Sequence, residues 1–381
     1  MSSNENVLGN TATAFIQGLY PPSDPATAAT LANGTAQFNP LDGYQYVLVN
    51  GMPSTAPDAI WIKGDQFCPA MTNASKAYYQ STEFLTRQPQ LQSFYDKFTP
   101  LLTGIFPQSQ IGFQSAYGIF DYLNVGYVHN DTIYSNLTAE DLFQLRTLAD
   151  SQELALVYNA SSPNVSIGGK TLSASILSQL NKTVTGTDKN LKITYFASSY
   201  SVFQAFFGIS DLLDASADFY GLPDYASTMS FELRRPVNLT GDYFVRYGFR
   251  NGSASSAELQ SFPLWGARAI DTDIPWTTFV DNMSRQSLST QKAWCNLCVS
   301  NLTFCAAYQE YVGRTSEPIS ASGDEGVSKV AAGFIGAGVT IVAIATLEGL
   351  VFLTWILKKK GKKAFAKEQM SETASERGLI A

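Results

Sequence analysis

Histidine is almost absent from this sequence, because His129 is the only one among 381 residues. Most Ser–His and Cys–His catalytic pairs, and zinc sites that use imidazole, would therefore depend on this one side chain. His129 lies in VGYVHNDT, next to the glycosylation triplet that begins at Asn130. We expect it at the surface or at a helix end rather than in catalysis.

Charge is also scarce, since charged residues make up 15% of the chain and apolar residues 45%. Residues 1–329 carry a net charge of −10 and residues 358–381 a net charge of +4. An acidic body repels a phosphate backbone, so we expect no nucleic-acid partner. The segment SIGGKT (166–171) ends like a phosphate-binding loop, but Asn164 stands where the first glycine of that motif belongs. No cofactor or metal site is predicted.

One apolar run, residues 330–357, contains a single charged residue, Glu348. It is long enough to cross a hydrocarbon core of about 30 Å as a helix, and the lysines after it are typical of the cytosolic side. The pattern predicts a stalk at 313–329, a single transmembrane helix at 330–357 and a cytosolic basic tail at 358–381. The ectodomain would then be lumenal or extracellular, at the cell surface or in the secretory pathway. Glu348 either marks a partner helix or is protonated in the bilayer.

The N-terminal segment MSSNENVLGNTATAFIQ lacks the apolar stretch of a secretory signal peptide. Two hypotheses remain for an ectodomain of this size. Either the apolar run at 330–357 directs membrane insertion, or the natural chain begins further upstream. We favour the second.

Acceptor triplets for N-glycosylation are abundant, since eleven of the 19 asparagines begin an Asn-x-Ser/Thr triplet. All of them precede residue 330, which agrees with the predicted topology and predicts N-glycans on this side of the membrane. The acceptors are Asn33, Asn73, Asn130, Asn136, Asn159, Asn164, Asn181, Asn238, Asn251, Asn282 and Asn301.

The chain has four cysteines, Cys68, Cys295, Cys298 and Cys305, all on the same side of the apolar run. The C-x2-C spacing can hold zinc or support dithiol chemistry. Since the predicted compartment is oxidising, two structural disulfides are the favoured interpretation. The spacing leaves the pairing open.

Helical and strand patterns alternate along the chain. Apolar residues recur at helical spacing between about Lys76 and Asp150, and Thr138 is a candidate N-cap. Alternation predicts strands in YQYVLVNG (44–51), KITYFAS (192–198), TMSFELR (228–234) and DYFVRYGFRNG (242–252), with a helix in VFQAFFGISDLL between the second and the third.

Several segments, in this order, resemble the histidine acid phosphatase family and its fungal-type membrane-anchored members. They are FIQGLYPP (15–22), LDGYQYVLVNG (41–51), GIFDYLNVGYVHN (118–130), VFQAFFG (202–208), LPDYASTMSFEL (222–233) and WCNLCVSNLTFC (294–305). The resemblance implies an α/β fold, with a sheet core formed by residues 1–50 and 185–312 and a mainly helical inserted domain at 51–184. The first strand of that core is missing from the chain.

The family's catalytic residues are replaced wherever the resemblance allows a comparison. The R-H-G-x-R-x-P motif, with its histidine nucleophile, has no counterpart here. A phosphate-binding arginine of the family falls on Val7, and the His-Asp pair falls near Phe196 and Ala197. Hydrocarbon side chains can neither accept a phosphoryl group nor donate a proton. The resemblance therefore predicts a catalytically inactive pseudo-phosphatase.

Two other functions remain open. One is an active acid phosphatase, a phosphomonoester hydrolase whose R-H-G motif lies upstream of the chain. The other is a membrane subunit that binds a helix partner through Glu348. The ligand is not predicted.

Overall fold

Helices account for most of the secondary structure in the described residues. The computed structural model describes residues 1–22, 29–37, 44–188, 190–236, 241–254, 256–266 and 272–309. The α-helices of these residues are α1 (Asn6–Leu19), α2 (Ile60–Lys63), α3 (Pro69–Lys76), α4 (Thr82–Asp96), α5 (Thr99–Leu102), α6 (Ala116–His129), α7 (Asp131–Asn136), α8 (Ala139–Val157), α9 (Ile167–Val184), α10 (Tyr200–Ile209), α11 (Trp276–Gln286), α12 (Gln291–Cys298) and α13 (Thr303–Gln309). Short 3-10 helices connect several of them, including the one at Ala217–Tyr220.

The strands are few, short and antiparallel in the described residues. They are β1 (Ala29–Thr30), β2 (Ala36–Gln37), β3 (Thr228–Arg234), β4 (Phe244–Arg250), β5 (Gln260–Ser261) and β6 (Asp273–Pro275). β1 pairs only with β2, whereas β4 pairs with β3, β5 and β6 in a four-stranded sheet. β3 and β4 pair along their full length, with Phe231 opposite Tyr247.

The predicted fold class is wrong. An α/β core of the histidine phosphatase type requires a central sheet, but the larger sheet here has four antiparallel strands drawn only from residues 228–275. The predicted strands at 44–51 and 192–198 are not formed, because neither segment has regular secondary structure. In the first of these segments Tyr46 is 77% exposed and Leu48 64% exposed, so its alternating apolar side chains do not cover a buried face of a sheet. The strands predicted in TMSFELR and DYFVRYGFRNG, by contrast, are confirmed, because they form β3 and β4.

The predicted stalk (313–329), transmembrane helix (330–357, with Glu348) and basic tail (358–381) lie outside the described residues. Within the described ranges, no helix is both long enough and apolar enough to cross a bilayer. The described residues all fall within one compact unit, Met1–Thr315. The proposed boundary between an inserted domain and a core at residues 184 and 185 stays a prediction.

Helix α8 binds several neighbouring segments through its side chains. The predicted N-cap is confirmed, because the Thr138 hydroxyl accepts the backbone N–H of Asp141 at 3.0 Å. Near its C-terminal end, consecutive polar side chains bind different segments. The Gln152 amide, for instance, donates to the backbone carbonyls of Phe113 (2.9 Å) and Gln114 (2.8 Å). Buried backbone carbonyls need such partners, so these bonds fix the position of α6 and the turn before it.

Two apolar cores flank α8 and α9. The first is formed by α4, α6 and α8, and it includes Tyr95, Phe113 and Leu123. The second lies between the four-stranded sheet and helices α9, α10 and α11, and it is rich in aromatic residues that contact one another edge to face. Burial of these rings supplies the main stabilisation of the sheet.

Helix α9 begins within the segment SIGGKT, directly after Ser166, and the glycines there allow close packing. A side chain at Gly169 would collide with the backbone of Ala205 and Phe206 in α10, and a side chain at Gly64 would collide with Thr171. Gly169 therefore allows α9 and α10 to approach at backbone distance, and Gly64 leaves room for the Thr171 side chain of α9.

Candidate functional site

A cleft of about 630 Å³ lies between the C-terminal half of α8 and the turn at Ala217–Leu222. This volume falls within the range of roughly 300–1,000 Å³ that is typical of small-molecule sites. Arg146, Asp150 and Tyr158 line one side, and Tyr220 and Asn251 line the other. The lining therefore combines two aromatic rings with an ion pair and an amide.

Arg146 and Asp150 hold the far wall of the cleft in place. The Arg146 guanidinium donates to the carbonyl of Leu222 at 2.7 Å and forms an ion pair with Asp224 at 2.6 Å. The Asp150 Oδ1 atom accepts the backbone N–H of Leu222 at 2.8 Å. We call this set of contacts between α8 and residues 222–224 the cleft clamp. It satisfies both backbone groups of Leu222, which removes any cost of leaving them unpaired.

Burial is the main influence on the Asp150 carboxyl. It raises the pKa of Asp150 above its ordinary value, and the nearby Asp224 carboxylate adds to the increase. The Leu222 N–H and the Arg146 guanidinium oppose it. Arg146 lies 3.9 Å from Asp150, so it offsets part of the cost of burying the negative charge.

Asn251 connects the cleft clamp to the end of β4. Its Oδ1 atom accepts the backbone N–H of Asp224 at 2.9 Å, and the Ser227 hydroxyl lies 3.0 Å from the same atom. Asp224 in turn pairs with Arg146. Asn251 is half-buried, and its position relative to the cleft is set by these contacts.

A second polar cluster lies on another face of α8. The Tyr200 hydroxyl donates to the Glu153 carboxylate at 3.1 Å, and the rings of Tyr117 and Tyr200 lie 5.1 Å apart. Burial raises the pKa of Glu153 to about 7, although the bond from Tyr200 opposes the shift. A carboxyl with this pKa changes its charge near neutral pH.

The acceptor asparagines lie mainly at the surface. Ten of the eleven are described: eight are exposed, and Asn251 and Asn282 are half-buried. Asn238 lies outside the described residues. In three triplets the asparagine Oδ1 atom accepts the backbone N–H of the serine or threonine two residues later. The pairs are Asn33 with Thr35, Asn130 with Thr132 and Asn159 with Ser161. This turn leaves the amide nitrogen, the atom that carries a glycan, pointing away from the bond.

The cysteines form two disulfides, as the sequence predicted. Cys68 pairs with Cys298, and Cys295 pairs with Cys305. The two cysteines of the C-x2-C motif therefore bond to different partners. Both bridges are buried beside Trp294, whose indole N–H donates to the carbonyl of Gly64 at 2.8 Å. We call this region, Ile60–Cys68 with Trp294–Cys305, the disulfide corner.

The structure brings together the chain segments around Val7, Phe196 and Ala197, the three positions that the sequence resemblance singled out. Val7 is 74% exposed on α1, whereas Ala197 is buried against Leu8 and Ala12 of the same helix. Phe196 packs at the edge of the second apolar core. His129 is exposed at the C-terminal end of α6. In the described part of the chain, no group of three or more His, Cys, Asp or Glu side chains is arranged to hold a metal ion.

No protein-family model matches the chain, and no curated protein is significantly similar to it. The resemblance to histidine acid phosphatases therefore stays a prediction from the quoted motifs.

The residues of both polar sites on α8 were not predicted from the sequence. Arg146 and Asp150 are four residues apart on a predicted helix, which is a visible signal for an ion pair. Their partners in residues 222–224 lie more than seventy residues away, and nothing in the local pattern indicates them. The shift in the pKa of Glu153 arises from burial in the tertiary structure, so it has no local signal either.

Proposed function

We propose that this protein is a disulfide-braced N-glycoprotein of the cell surface or secretory pathway, with a non-catalytic unit held at a lipid bilayer by residues 330–357. The observation that carries the proposal is the surface position of the acceptor asparagines. Of the ten that are described, none is buried. Glycans are bulky and hydrated, so each acceptor must lie where a sugar chain can reach solvent.

The disulfides support an oxidising compartment. Thiols in the cytosol are kept reduced, whereas both bridges here lie inside the protein and close rings of chain. The bridge between Cys68 and Cys298 joins residues 230 positions apart. Such a bridge suits an exported protein, which is exposed to proteases and is no longer assisted by chaperones.

The bilayer attachment rests on composition. Residues 330–357 are mostly apolar and carry one charged residue, Glu348, and Lys358, Lys359 and Lys360 follow directly. Lysines in this position favour a cytosolic C-terminus, which places the acceptor triplets on the opposite side. The glycans and the bilayer are then the two partners of the chain.

The non-catalytic role rests on which side chains are present. Phosphoryl transfer through histidine requires an imidazole near arginines that hold the phosphate. The chain's single histidine lies at the exposed end of α6, and Val7, Phe196 and Ala197 occupy the positions where the resemblance places the remaining groups. We therefore propose that the unit has a display or structural role and does not convert a substrate.

The test is expression of the full chain in a eukaryotic secretory cell. We expect the mass to fall after enzymatic removal of N-glycans, all four cysteines to resist alkylation before reduction, and the protein to stay with membranes after an alkaline carbonate wash. A chain with no glycans and with alkylated cysteines would overturn the compartment. Release by carbonate would overturn the bilayer attachment. Phosphomonoester turnover that copurifies with the protein through several columns would overturn the non-catalytic role.

A further inference from the structure

One acceptor asparagine differs from the others in its surroundings, because Asn251 lines the cleft beside α8. Asn251, Gly252 and Ser253 form its acceptor triplet. A glycan on this residue would begin at the cleft wall, while glycans on the exposed acceptors begin in open solvent.

The orientation of the Asn251 amide follows from its hydrogen bonds. The backbone N–H of Asp224 can only donate, so the atom that accepts it at 2.9 Å must be the oxygen of the Asn251 amide. The nitrogen, Nδ2, has no hydrogen-bond partner in the described part of the chain. It is the atom to which an N-glycan is attached, and a glycan there leaves the bond from Asp224 intact.

The cleft offers the contacts that a sugar uses. A pyranose presents a C–H face to aromatic rings and hydroxyls to polar groups, and the cleft provides Tyr158 and Tyr220 for the first and Arg146 and Asp150 for the second. The ring of Tyr158 is held against α10, since a side chain at Gly208 would collide with it. One aromatic wall is therefore rigid before any sugar arrives, which lowers the entropic cost of seating a ligand.

We propose that the cleft seats the first N-acetylglucosamine residues of the glycan carried by Asn251, so that the chain's own glycan is the cleft's ligand. The proposal rests on the N-glycosylation in the proposed function. Attachment to Asn251 makes this contact intramolecular, so even weak contacts with each sugar are sufficient to hold the glycan in place. The seated sugars would shield the cleft clamp from solvent and close the cleft to other small molecules.

The experiment compares the glycans on Asn251 and Asn159 in the folded full-length protein. Glycopeptide mass spectrometry first measures the occupancy of each acceptor. Native digestion with an endoglycosidase, which cuts between the first two sugars, is then followed over time. We expect the glycan on Asn251 to be cut about tenfold more slowly than that on Asn159, since opening a contact worth a single hydrogen bond costs roughly this factor.

Matched variants identify the cause of the protection. Tyr220→Ala removes an aromatic ring from the cleft and is expected to bring the cutting rate at Asn251 close to that at Asn159. Tyr46→Ala removes an exposed tyrosine that does not line the cleft and should change neither rate.

A second measurement reads the cleft directly. Ser253→Ala abolishes glycosylation at Asn251 without altering its bond to Asp224, and it should accelerate hydrogen exchange in residues 217–222. Ser161→Ala abolishes the acceptor at Asn159 and should leave this exchange unchanged.

Three results would overturn the proposal. The first is an equal cutting rate at Asn251 and Asn159. The second is protection of the Asn251 glycan that survives Tyr220→Ala, combined with unchanged hydrogen exchange in Ser253→Ala. The third is an Asn251 that carries no glycan. If Asn251 alone is unoccupied while other acceptors carry glycans, the proposal fails and the proposed function stands. If every acceptor is unoccupied, the proposed function fails as well.

Discussion

The disulfide corner and the cleft clamp solve the same structural problem with different chemistry. Each fastens segments that are far apart in the chain: the corner joins Cys68 to Cys298, and the clamp joins Arg146 and Asp150 to residues 222–224. The corner uses covalent bonds inside an apolar cluster around Trp294. The clamp uses an ion pair and backbone hydrogen bonds at the rim of an open cleft.

This difference determines what each region responds to. A disulfide acts mainly by reducing the freedom of the unfolded chain, so its contribution depends on the length of the ring that it closes and not on salt or pH. An ion pair at a partly exposed site weakens as salt rises, and it is lost when its carboxylate is protonated. We therefore expect the corner to set the stability of the unit and the clamp to set the local order of the cleft.

The largest effect is expected from breaking the corner. Replacing both Cys68 and Cys298 by alanine should lower the free energy of unfolding by about 5 kcal/mol, because the ring they close is long. The same change at Cys295 and Cys305, which lie 10 positions apart, should cost about 3 kcal/mol. Denaturant unfolding of the two double variants, each compared with the parent chain, measures both values. Equal losses would show that ring length is not what the corner contributes.

A second effect, of opposite sign, is expected at Glu153 on α8. Its pKa is about 7 in the folded protein against an ordinary value of 4.5, so folding favours the protonated form. The stabilisation from this group is complete below about pH 4.5 and is lost as pH rises towards 7, a change of about 3 kcal/mol. Glu153→Gln keeps the acceptor for Tyr200 without the charge, so it should stabilise the protein at pH 7.5 and change little at pH 4.

Thermal unfolding at the two pH values measures this difference. Glu258→Gln, at an exposed position in a loop, serves as the control and should change little at either pH. If Glu153→Gln stabilises the protein equally at both pH values, the effect comes from packing rather than from ionisation. The disulfide variants should show no comparable dependence on pH, which sharpens the contrast between the corner and α8.

The smallest effect is expected at the cleft clamp. Asp224→Asn keeps the backbone N–H that donates to Asn251 but loses the charge that pairs with Arg146 at 2.6 Å, so we expect a loss of up to about 1 kcal/mol in low salt and less in high salt. Asp218→Asn, in the same cleft, is the matched control and should have a smaller effect. Denaturant titrations at two ionic strengths provide the comparison, and a loss that is independent of salt would contradict an electrostatic clamp.

Local patterns predicted the elements whose signal is complete within a few residues. The N-cap at Thr138 and the strands in TMSFELR and DYFVRYGFRNG occur where the sequence placed them. The helix predicted in VFQAFFGISDLL is formed as α10, which ends at Ile209. The strands predicted in YQYVLVNG and KITYFAS are not formed, although their alternation is similar. A strand needs a partner as well as a pattern, and β3 and β4 follow one another closely in the chain, so they can pair locally.

These local patterns did not predict the global fold or the candidate site. The resemblance to histidine acid phosphatases predicted a central sheet, whereas the aromatic side chains of β3 and β4 form their core with α9, α10 and α11. The cysteines indicated disulfides but not the pairing, because any of the partners could be brought together by the fold. The cleft depends on residues 222–224 reaching α8, which only the packing of the whole unit determines.

The bridge from Cys68 to Cys298 also has a consequence for proteolysis. Both apolar cores, the cleft and most acceptor asparagines lie between these two cysteines in the chain. A protease that cuts one peptide bond anywhere in this stretch opens the backbone but leaves the two pieces linked through sulfur. They would separate on a gel only after reduction. A cut between Cys305 and residue 330 lies outside both rings, so it would release the whole braced unit from residues 330–357.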